Sequence, residues 1–530
     1  MPVSAPHATT VARPARAPAG PAALTERLAG ARAIAILVAL TALAAGLRLV
    51  VAGQSLFGDE LSTYYIVSTN SLTGVVEMVH DEIEITPPLS FVAAWLATRI
   101  DLTTELLRAP GLLAGTAAIP LVYLLGVRTV GRAAGLVAAA LTALAPFMIF
   151  YSAEARGYQL MIVLVMLSTL ALLAAVSDGR ARWWVAYAAC SAAAMLTHYT
   201  SVFALAAQLL WVLWAHPEAR VSALAANAGA VLAFLPWLPG FINDLRMPDS
   251  DIMSALSPFD PYAVRLAIEH WSVGYPHVLS TSELRDLPGI PGLALQALGL
   301  AIGVASTGAR LLRDRFPIDR RVVLVVVLAL SAPVGEALVS AVSTNMLTAR
   351  NLAVSWPWFG LVLAAVLVGA GPRLRIAAVG LVLAGFAIGA AKMVDDRFQR
   401  PDFQAAAAYI DREAAAGDVV VDGAVAFITP GPLTGLDVTL QRPHPIIRAG
   451  APQQRRGNFR IGDPVLEVEE VVRRATRRGR RVFVVSPQDE AAPTRVVWDP
   501  LFDAPGYRFA GERLFRGFIS LSVLVYEPER

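Results

Sequence analysis

Long apolar runs, separated by short polar connections, make up most of the first 392 residues. A helix needs about 20 predominantly apolar residues to cross the hydrocarbon core of a bilayer. Eleven runs approach or reach this length, and we predict a transmembrane helix for each of them: 33–52, 110–127, 132–150, 159–177, 184–200, 201–215, 221–240, 289–309, 322–342, 354–371 and 374–391. The sixth run is short. The pattern predicts an α-helical polytopic membrane protein with about 11 transmembrane helices.

Arginine is concentrated on one side of the predicted helices. It occurs in the N-terminal tail and in every second connection, at Arg13, Arg16, Arg27, Arg32, Arg128, Arg132, Arg180, Arg182, Arg220, Arg310, Arg313, Arg315, Arg320, Arg321, Arg373 and Arg375. Because basic connections remain in the cytoplasm, this side is predicted to be cytoplasmic. The loops 53–109 and 241–288 and the segment 393–530 are then predicted to lie on the outer side.

The two ends of the chain differ in character from residues 33–392, which we predict to form the membrane domain. Residues 1–32 are rich in Ala, Pro and Arg and are predicted to form a disordered cytoplasmic tail. The apolar run that follows is long enough to span the membrane and lacks a convincing cleavage site, which disfavours a signal peptide. Residues 393–530 predict a small outer α/β domain, with helices in 402–416 and 465–478 and strands in 418–422, 481–485, 507–513 and 518–526.

Composition supports the membrane assignment. Hydrophobic residues make up 56% of the chain and charged residues only 16%, whereas a soluble domain has about 25% charged residues. Lys392 is the single lysine among 44 basic residues, which indicates a coding bias towards arginine and not a function of arginine. The net charge of +3 is explained by the basic cytoplasmic connections, so nucleic acid is not an expected partner. Cys190 is the only cysteine and cannot form an internal disulfide.

The first candidate for chemistry is the pair Asp59-Glu60, which follows Gly58 just beyond the first predicted helix. A carboxylate within hydrogen-bond reach of an acceptor hydroxyl can take its proton while a new bond forms. We therefore predict Asp59 as a general base and Glu60 as a residue that positions or tunes it. The alternative is a solvated loop or a helix cap without catalytic function.

An acidic stretch lies later in the same loop. It comprises His80, Asp81, Glu82 and Glu84 and leads into Thr86-Pro87-Pro88, where the two prolines end any helix. The apolar run 89–95 is too short to span the membrane and is predicted as an interfacial helix. Carboxylates beside a histidine can bind a divalent cation, so these four residues are candidate metal ligands. The alternative is a solvated acidic loop.

The polar hairpin between the third and fourth predicted helices runs from Tyr151 to Tyr158 and contains Glu154 and Arg156. The planar guanidinium of Arg156 is suited to bind two oxygens of a phosphate, and Glu154 is a candidate to hold it in place. The alternative is a structural Glu–Arg pair that closes a tight turn.

Further candidates lie at the predicted outer ends of other helices. Arg350 is a second candidate for a phosphate, and His198 and Tyr199 are candidates for the wall of a substrate cavity. The alternatives are a solvated arginine and a hydrogen-bonded interfacial histidine. Trp356 and Trp358 are interpreted as membrane-interface anchors.

Taken together, these motifs resemble those of the GT-C membrane glycosyltransferases. Within that fold, the chain is similar to the superfamily of dolichyl- or polyprenyl-phosphate-mannose protein mannosyltransferases and aminoarabinose transferases. The resemblance covers about residues 33–420 and rests on Asp59-Glu60, the acidic stretch into Thr86-Pro87-Pro88-Leu89, the hairpin 151–158, Thr197-His198-Tyr199 and Arg400-Pro401-Asp402-Phe403. One departure is Thr86, where relatives often have histidine.

The resemblance implies an inverting transfer of a sugar from a polyprenyl-phosphate carrier on the outer face of the plasma membrane. It implies that Asp59 is the base or acceptor-binding carboxylate and that Arg156 and Arg350 bind the donor phosphate. The substrate cavity is then expected to be formed by Glu82, Glu84, Tyr151, Glu154, Tyr158, His198 and Tyr199. The acceptor is a glycolipid, a wall polysaccharide or a protein. No cofactor is required, and a divalent cation remains open.

Two other classes of protein compete with this reading. A transporter would have ionisable groups near the bilayer midplane, whereas Glu336 is the main charge that we expect inside the helices. A non-catalytic membrane scaffold with an outer binding domain would tolerate substitution around Asp59 and Arg156. Both remain alternatives to the transferase.

Overall fold

The structure, a computed structural model, describes residues 21–80, 84–246, 261–274, 289–314, 319–342, 347–424, 433–449, 467–488 and 494–529. Its helices before residue 393 are α1 (Pro21–Ala52), α2 (Asp59–Thr69), α3 (Leu72–His80), α4 (Leu89–Ala97), α5 (Thr104–Thr129), α6 (Arg132–Leu144), α7 (Pro146–Ser152), α8 (Tyr158–Asp178), α9 (Ala181–Met195), α10 (Ser201–Ala215), α11 (Arg220–Phe234), α12 (Leu238–Arg246), α13 (Pro261–Ser272), α14 (Gly289–Asp314), α15 (Arg320–Val342), α16 (Trp356–Gly369) and α17 (Pro372–Lys392).

Each of the eleven predicted apolar segments coincides with a helix, which confirms a polytopic α-helical membrane protein. Among the described residues, eight helical segments are long and apolar enough to cross a membrane, or nine if the bent pair α6–α7 is one span. The difference from eleven arises at α9 and α10, which have only 15 residues each. The helix α1 begins at Pro21, so residues 21–32, predicted as part of the tail, are helical.

A bend of 61° separates α6 from α7 at Pro146. Proline has no N–H, so the carbonyl of Thr142 loses its partner within the helix. Arg48 of α1 donates from Nη2 to this carbonyl at 3.2 Å and from Nε to Ser152 Oγ at 3.0 Å. Arg48 thus ties the first helix to both sides of the bend and fixes the direction of α7.

The interiors of the predicted membrane helices contain more charge than we expected. Arg48 lies inside the first predicted run and is fully buried, in addition to Glu336 in α15. Arg108 was predicted to lie in the outer loop 53–109, but α5 begins earlier than predicted and includes it, also fully buried. Charged groups inside a membrane protein are expensive and face protein partners. The neighbours of Arg48 and Arg108 are oxygen atoms from other parts of the chain, as described here and below, and the arginines join these parts together.

The C-terminal domain (residues 393–530) has the predicted α/β character. Its elements are α18 (Phe403–Glu413), β1 (Val419–Asp422), α19 (Gly435–Thr439), β2 (Ile446–Arg448), α20 (Val468–Thr476), β3 (Val482–Pro487), α21 (Arg495–Asp503), β4 (Tyr507–Phe515) and β5 (Leu521–Pro528). The strand order is β2-β1-β3-β5-β4, with β1 parallel to β2 and β3, and β5 antiparallel to β3 and β4. Apolar side chains fill both faces of the sheet.

Several contacts attach the C-terminal domain to the membrane domain. The backbone N–H of Gln404, at the start of α18, donates to Ser55 Oγ at 3.1 Å. The ring of Phe518 meets that of Phe57 edge to face, with centroids 5.3 Å apart. Val438 of α19 packs against an apolar cluster formed by Leu56, Leu61, Val67, Ala94, Leu107 and Ala155. These contacts all lie on the side of the C-terminal domain from which α18 begins.

Candidate active site

Asp59 is the first residue of α2 and is placed there by Gly58, whose positive φ of 58° favours glycine. Its carboxylate accepts a hydrogen bond from Arg350 Nη1 at 2.9 Å. The two side chains are 46% and 35% exposed, respectively. This pair joins residues 291 positions apart and offers both a carboxylate and a guanidinium to a bound molecule.

Glu60 lies directly behind this pair and is fully buried. Arg108 donates to both of its carboxylate oxygens, from Nε and from Nη2, at 2.7 Å each. The guanidinium of Arg400 lies 3.3 Å from Glu60 Oε2, and the N–H of Ala155 donates to Oε1 at 2.9 Å. Glu60 therefore connects α2, α5, the polar hairpin and the C-terminal domain.

Several opposing effects set the ionisation of Glu60. Burial alone would raise the pKa of this carboxyl, but the charges of Arg108 and Arg400 and the hydrogen bonds lower it further than burial raises it. The net pKa lies below its usual value, so Glu60 is ionised. With its oxygens occupied by protein donors, Glu60 is placed to position its neighbour Asp59 and not to contact substrate.

Arg400 brings the C-terminal domain into this site. It is 3% exposed, donates from Nη2 to the carbonyl of Ala153 at 3.3 Å, and lies over the ring of Phe150 at 4.4 Å from the centroid. Arg400 thus holds the end of α7 and the beginning of the polar hairpin. The C-terminal domain is therefore part of the scaffold that supports the candidate site.

Arg156 is held by a residue other than the one we predicted. Its Nη1 and Nη2 donate to the two oxygens of Glu84 at 2.8 Å each, and both side chains are 7% exposed. Burial alone would lower the pKa of Arg156, but Glu84 raises it by a larger amount. The predicted partner, Glu154, does not accept either of these two hydrogen bonds.

Glu154 is buried beside these charges. Its Oε2 has no hydrogen-bond partner within the described part of the chain. Burial, followed by the negative charge of Glu60, raises the pKa of this carboxyl to about 7. Its charge also acts on Arg350. Glu154 is thus a titratable group inside the candidate site near neutral pH.

We expect donor binding to depend on the ionisation of Glu154. From pH 6 to pH 8 the carboxyl becomes charged and opposes an anion bound at Arg350. This effect is about 1 kcal/mol, so the dissociation constant of a polyprenyl-phosphate sugar should increase on the order of fivefold. The phosphodiester of such a donor keeps a constant charge in this range. Binding measured by fluorescence titration should lose this dependence in Glu154→Gln, and an unchanged dependence in that variant would assign it to another group.

An aromatic wall completes the site. Tyr151 and Tyr158 are both buried, with ring centroids 5.0 Å apart, and Tyr158 lies 5.0 Å from His198. His198 Nδ1 is 2.9 Å from Thr200 Oγ1. Burial, together with the charges of Arg156 and Arg350, lowers the pKa of His198 to about 3. The histidine is therefore neutral at physiological pH and cannot supply a positive charge to a phosphate.

Tyr199 and His80 both contact Trp237, which lies between α11 and α12, and Tyr199 also contacts Asp244 of α12. The hydroxyl of Tyr199 donates to Asp244 and accepts a hydrogen bond from Trp237 Nε1 at 2.9 Å. His80 meets the Trp237 ring edge to face, with centroids 5.9 Å apart. Tyr199, predicted as part of the substrate cavity, thus belongs to a neighbouring aromatic cluster.

The predicted metal ligands do not assemble within the described residues. Asp81 and Glu82 lie outside the described residues, and Glu84 is paired with Arg156. Within the described ranges, no group of three His, Cys, Asp or Glu side chains could hold an ion. The involvement of a divalent cation stays a prediction.

Sequence reasoning did not assign a role to Arg48, Arg108 or Arg400. Arg48 has a visible signal in the sequence, because it interrupts a run predicted to lie in the membrane, whereas Arg108 falls just before the second predicted run, in the predicted outer loop 53–109. Arg400 was noted only as part of a motif. Arg48 contacts Ser152, 104 positions away, and Glu60 is 48 positions from Arg108 and 340 from Arg400, so no local pattern identifies these contacts.

An apolar cavity of about 210 Å³ lies between α6, α13, α14, α16 and α17. Leu293, Trp356, Phe359 and Phe386 line it, together with Trp271. The indole N–H of Trp271 donates to the carbonyl of Ala349 at 3.2 Å. Through this contact, the wall of the apolar cavity is joined to the residue that precedes Arg350.

Comparisons with known proteins bear on the family and the fold. Residues 86–242 match the family model described as dolichyl-phosphate-mannose-protein mannosyltransferase. A search of curated protein sequences finds no match.

The fold is similar to that of ArnT from Cupriavidus metallidurans. The apo crystal structure is 14% identical, with a TM-score of 0.55, over 94% of this chain and 98% of that one. The crystal structure bound to undecaprenyl phosphate is 15% identical, with a TM-score of 0.52, over 93% of this chain and 97% of that one. The chain therefore has the fold of the GT-C membrane glycosyltransferases, the group that its motifs resemble.

Proposed function

We propose that this protein transfers a sugar from a polyprenyl-phosphate carrier to an acceptor hydroxyl on the outer face of the membrane. The observation that carries this proposal is the pairing of Asp59 with Arg350 at 2.9 Å, both partly exposed, beside an apolar cavity. A carboxylate, a guanidinium and an apolar surface match the three parts of the reaction. These parts are the acceptor hydroxyl, the donor phosphate and the lipid tail.

Arg350 is assigned to the donor phosphate. The electrostatic effect of the neighbouring Tyr158 raises the pKa of Arg350, burial lowers it, and the carboxylate of Asp59 raises it again; the net pKa lies above its usual value, so Arg350 keeps its charge. The phosphate and Asp59 then compete for the same guanidinium. Donor binding draws Arg350 towards the phosphate and releases Asp59 to accept a proton.

Asp59 is assigned as the base. The acceptor hydroxyl gives its proton to the Asp59 carboxylate while its oxygen forms a bond to the anomeric carbon. The bond from this carbon to the phosphate oxygen breaks, and its electron pair leaves with the polyprenyl phosphate. Phosphate leaves without being protonated, so a second carboxylic acid is not needed, in contrast to glycoside hydrolysis. One displacement inverts the anomeric carbon.

The lipid part of the donor is assigned to the apolar cavity beside Trp271. This cavity is lined mainly by aliphatic and aromatic side chains, which is the chemistry that an isoprenoid chain requires. The solved structure of ArnT with undecaprenyl phosphate supports a lipid phosphate as the ligand of this fold. The acceptor is a glycolipid, a wall polysaccharide or a protein.

We expect Arg350→Gln to weaken donor binding about tenfold to a hundredfold. A hydrogen bond to a charged group contributes about 1.5–3 kcal/mol, and the variant removes such a contact with the phosphate. Arg182→Gln is the matched control, because Arg182 is exposed at the opposite end of the membrane helices, beside Trp183. Equal affinity in wild type and Arg350→Gln would remove Arg350 from the phosphate site.

The proposed function is tested by measuring donor binding and turnover in lipid nanodiscs. A panel of polyprenyl-phosphate sugars is titrated, and release of polyprenyl phosphate is followed as the measure of turnover. Each donor is measured with and without EDTA, because the sequence does not decide whether a divalent cation is required. Saturable binding of one donor with turnover supports the transferase and identifies its sugar. A folded protein that binds no polyprenyl phosphate would contradict it and favour a transporter or a scaffold.

A further inference from the structure

The connection between α20 and β3 carries a cluster of exposed arginines. Six arginines occur between residues 473 and 481. Arg473 and Arg474 pair with Glu470, and Arg481 pairs with Asp418. The remaining three, Arg477, Arg478 and Arg480, are exposed, and within the described part of the chain no ion pair involves them. We call these three residues the arginine patch.

The arginine patch lies at the end of the C-terminal domain opposite to its attachment. Gln404, near the start of α18, contacts Ser55 of the membrane domain, whereas Arg481 donates to the carbonyl of Glu413 at the other end of α18. These two ends are about 15 Å apart. The sheet runs in the same direction. The first residue of β3, Val482, lies beside the patch, and its last residue, Pro487, pairs with Leu521, close to Phe518 at the attached end of the domain.

Neither membrane topology nor helix stability explains the arginine patch. Basic residues fix topology when they lie in cytoplasmic connections close to the membrane, whereas the patch lies on the predicted outer side. Cations stabilise a helix when they lie in its last turn, and Arg473 and Arg474 already occupy that turn of α20. The patch follows the end of the helix, and its positive charges repel one another when nothing is bound.

A groove next to the arginine patch gives it a shape that suits a polymer. The groove lies between α20 and α21, has a volume of about 440 Å³, and is lined by one acidic residue, Glu469, and one basic residue, Arg473, together with Thr476, Leu501 and Pro505 among others. Arg477 is the first residue after α20 and keeps helical backbone angles, so it continues the side of the helix on which Arg473 lies four positions earlier. Cationic groups therefore extend from the groove to the end of the domain.

We propose that the C-terminal domain binds an anionic polysaccharide outside the membrane through the arginine patch and the adjoining groove. Guanidinium groups pair with carboxylate or phosphate groups, which recur along such a polymer. The position of the patch, away from the attachment to the membrane domain, favours a polymer over the lipids around this protein. The proposal rests on the outer location of the domain, which is part of the proposed function, but binding does not require sugar transfer.

Binding is tested with the full chain in nanodiscs of neutral lipid. Polygalacturonate serves as the anionic polymer and dextran as the neutral one. We expect polygalacturonate to bind at low salt, binding to weaken as salt increases, and dextran not to bind. The triple variant Arg477→Gln, Arg478→Gln and Arg480→Gln should lose affinity on the order of tenfold or more. Its unfolding temperature, measured in parallel, should remain that of the wild type, because the three side chains are exposed.

The matched control replaces Arg508, Arg513 and Arg516 with glutamine. These residues are exposed on and after β4 of the same domain, so the net charge changes by the same amount. We expect this control to keep its affinity for polygalacturonate. Equal loss in both triple variants, or no binding by the wild type at low salt, would overturn the proposal. Binding to phosphatidylglycerol vesicles in place of polygalacturonate would also overturn it, in favour of a lipid surface.

Discussion

Replacing Asp59 with asparagine should reduce turnover about 100-fold to 10,000-fold, which is the usual contribution of a general base. Asparagine keeps the size of the side chain but cannot accept the proton of the acceptor hydroxyl. Donor binding should stay near normal or become tighter, because the variant no longer supplies the carboxylate that competes with the phosphate for Arg350. The measurement is release of polyprenyl phosphate at saturating donor, with donor affinity determined in the same nanodiscs.

Asp101→Asn is the matched control for this experiment. Asp101 is an exposed aspartate that lies between α4 and α5, in the same predicted outer loop as Asp59. Its replacement should leave both turnover and donor affinity unchanged. A normal rate in Asp59→Asn would exclude Asp59 as the base. A large loss of donor affinity with a normal rate at saturation would instead assign it to donor binding.

Replacing Glu60 with glutamine should produce the largest loss of stability in the molecule. The variant leaves the guanidinium groups of Arg108 and Arg400 buried without their shared carboxylate. Breaking a buried ion pair from one side typically costs about 3–5 kcal/mol. The apparent unfolding temperature of the purified protein should therefore fall markedly, and turnover should fall with the amount of folded protein.

Two further variants separate stability from chemistry at Glu60. Glu77→Gln removes an exposed carboxylate from α3 and should leave the unfolding temperature unchanged. The double variant Glu60→Gln, Arg108→Met removes one of the unpaired charges, so its loss should be smaller than the sum of the two single losses. A Glu60→Gln protein that keeps its unfolding temperature but has no turnover would show that Glu60 takes part in the reaction directly.

The membrane helices could be predicted from the sequence because lipid imposes a simple requirement. Each span must satisfy its backbone internally and present apolar side chains over a fixed thickness. This requirement located all eleven segments, and the pattern of polar and apolar residues located two helices and four strands of the C-terminal domain, but not α19, β2 and α21. Eight or nine helical segments are long enough to cross a membrane, against the eleven predicted, because α9 and α10 have only 15 residues each.

The partners of the charged residues could not be predicted in the same way. Because Glu154 is close to Arg156 in the sequence, we predicted that the two side chains pair. In the structure, the guanidinium of Arg156 donates instead to Glu84, 72 positions away. The hairpin bends so that neighbours in sequence face different surroundings. Similarly, Asp59 and Glu60 are adjacent but differ completely in exposure, because only Glu60 faces Arg108 and Arg400. Long-range packing therefore decides which carboxylate is available to a substrate.

Among the described residues, Arg400 is the side chain through which the C-terminal domain contacts Glu60 of the candidate site. Arg400 contacts Glu60, the carbonyl of Ala153 and the ring of Phe150, so it links the first residues of that domain to α2, α7 and the hairpin. Its charge also lowers the pKa of Glu154, against the larger effect of burial. The geometry of the hairpin and its ionisation thus both depend on a residue outside the membrane helices.

The anomeric configuration of the first product tests the central claim most directly. The donor is incubated with the protein and its acceptor, and the configuration at the transferred sugar's anomeric carbon is determined by proton NMR before and after transfer. A single displacement with Asp59 as the base predicts complete inversion in the wild type, and product of the same configuration formed about 100-fold to 10,000-fold more slowly in Asp59→Asn. Retention of configuration would contradict the account, because it requires two displacements and a nucleophile that attacks the sugar itself.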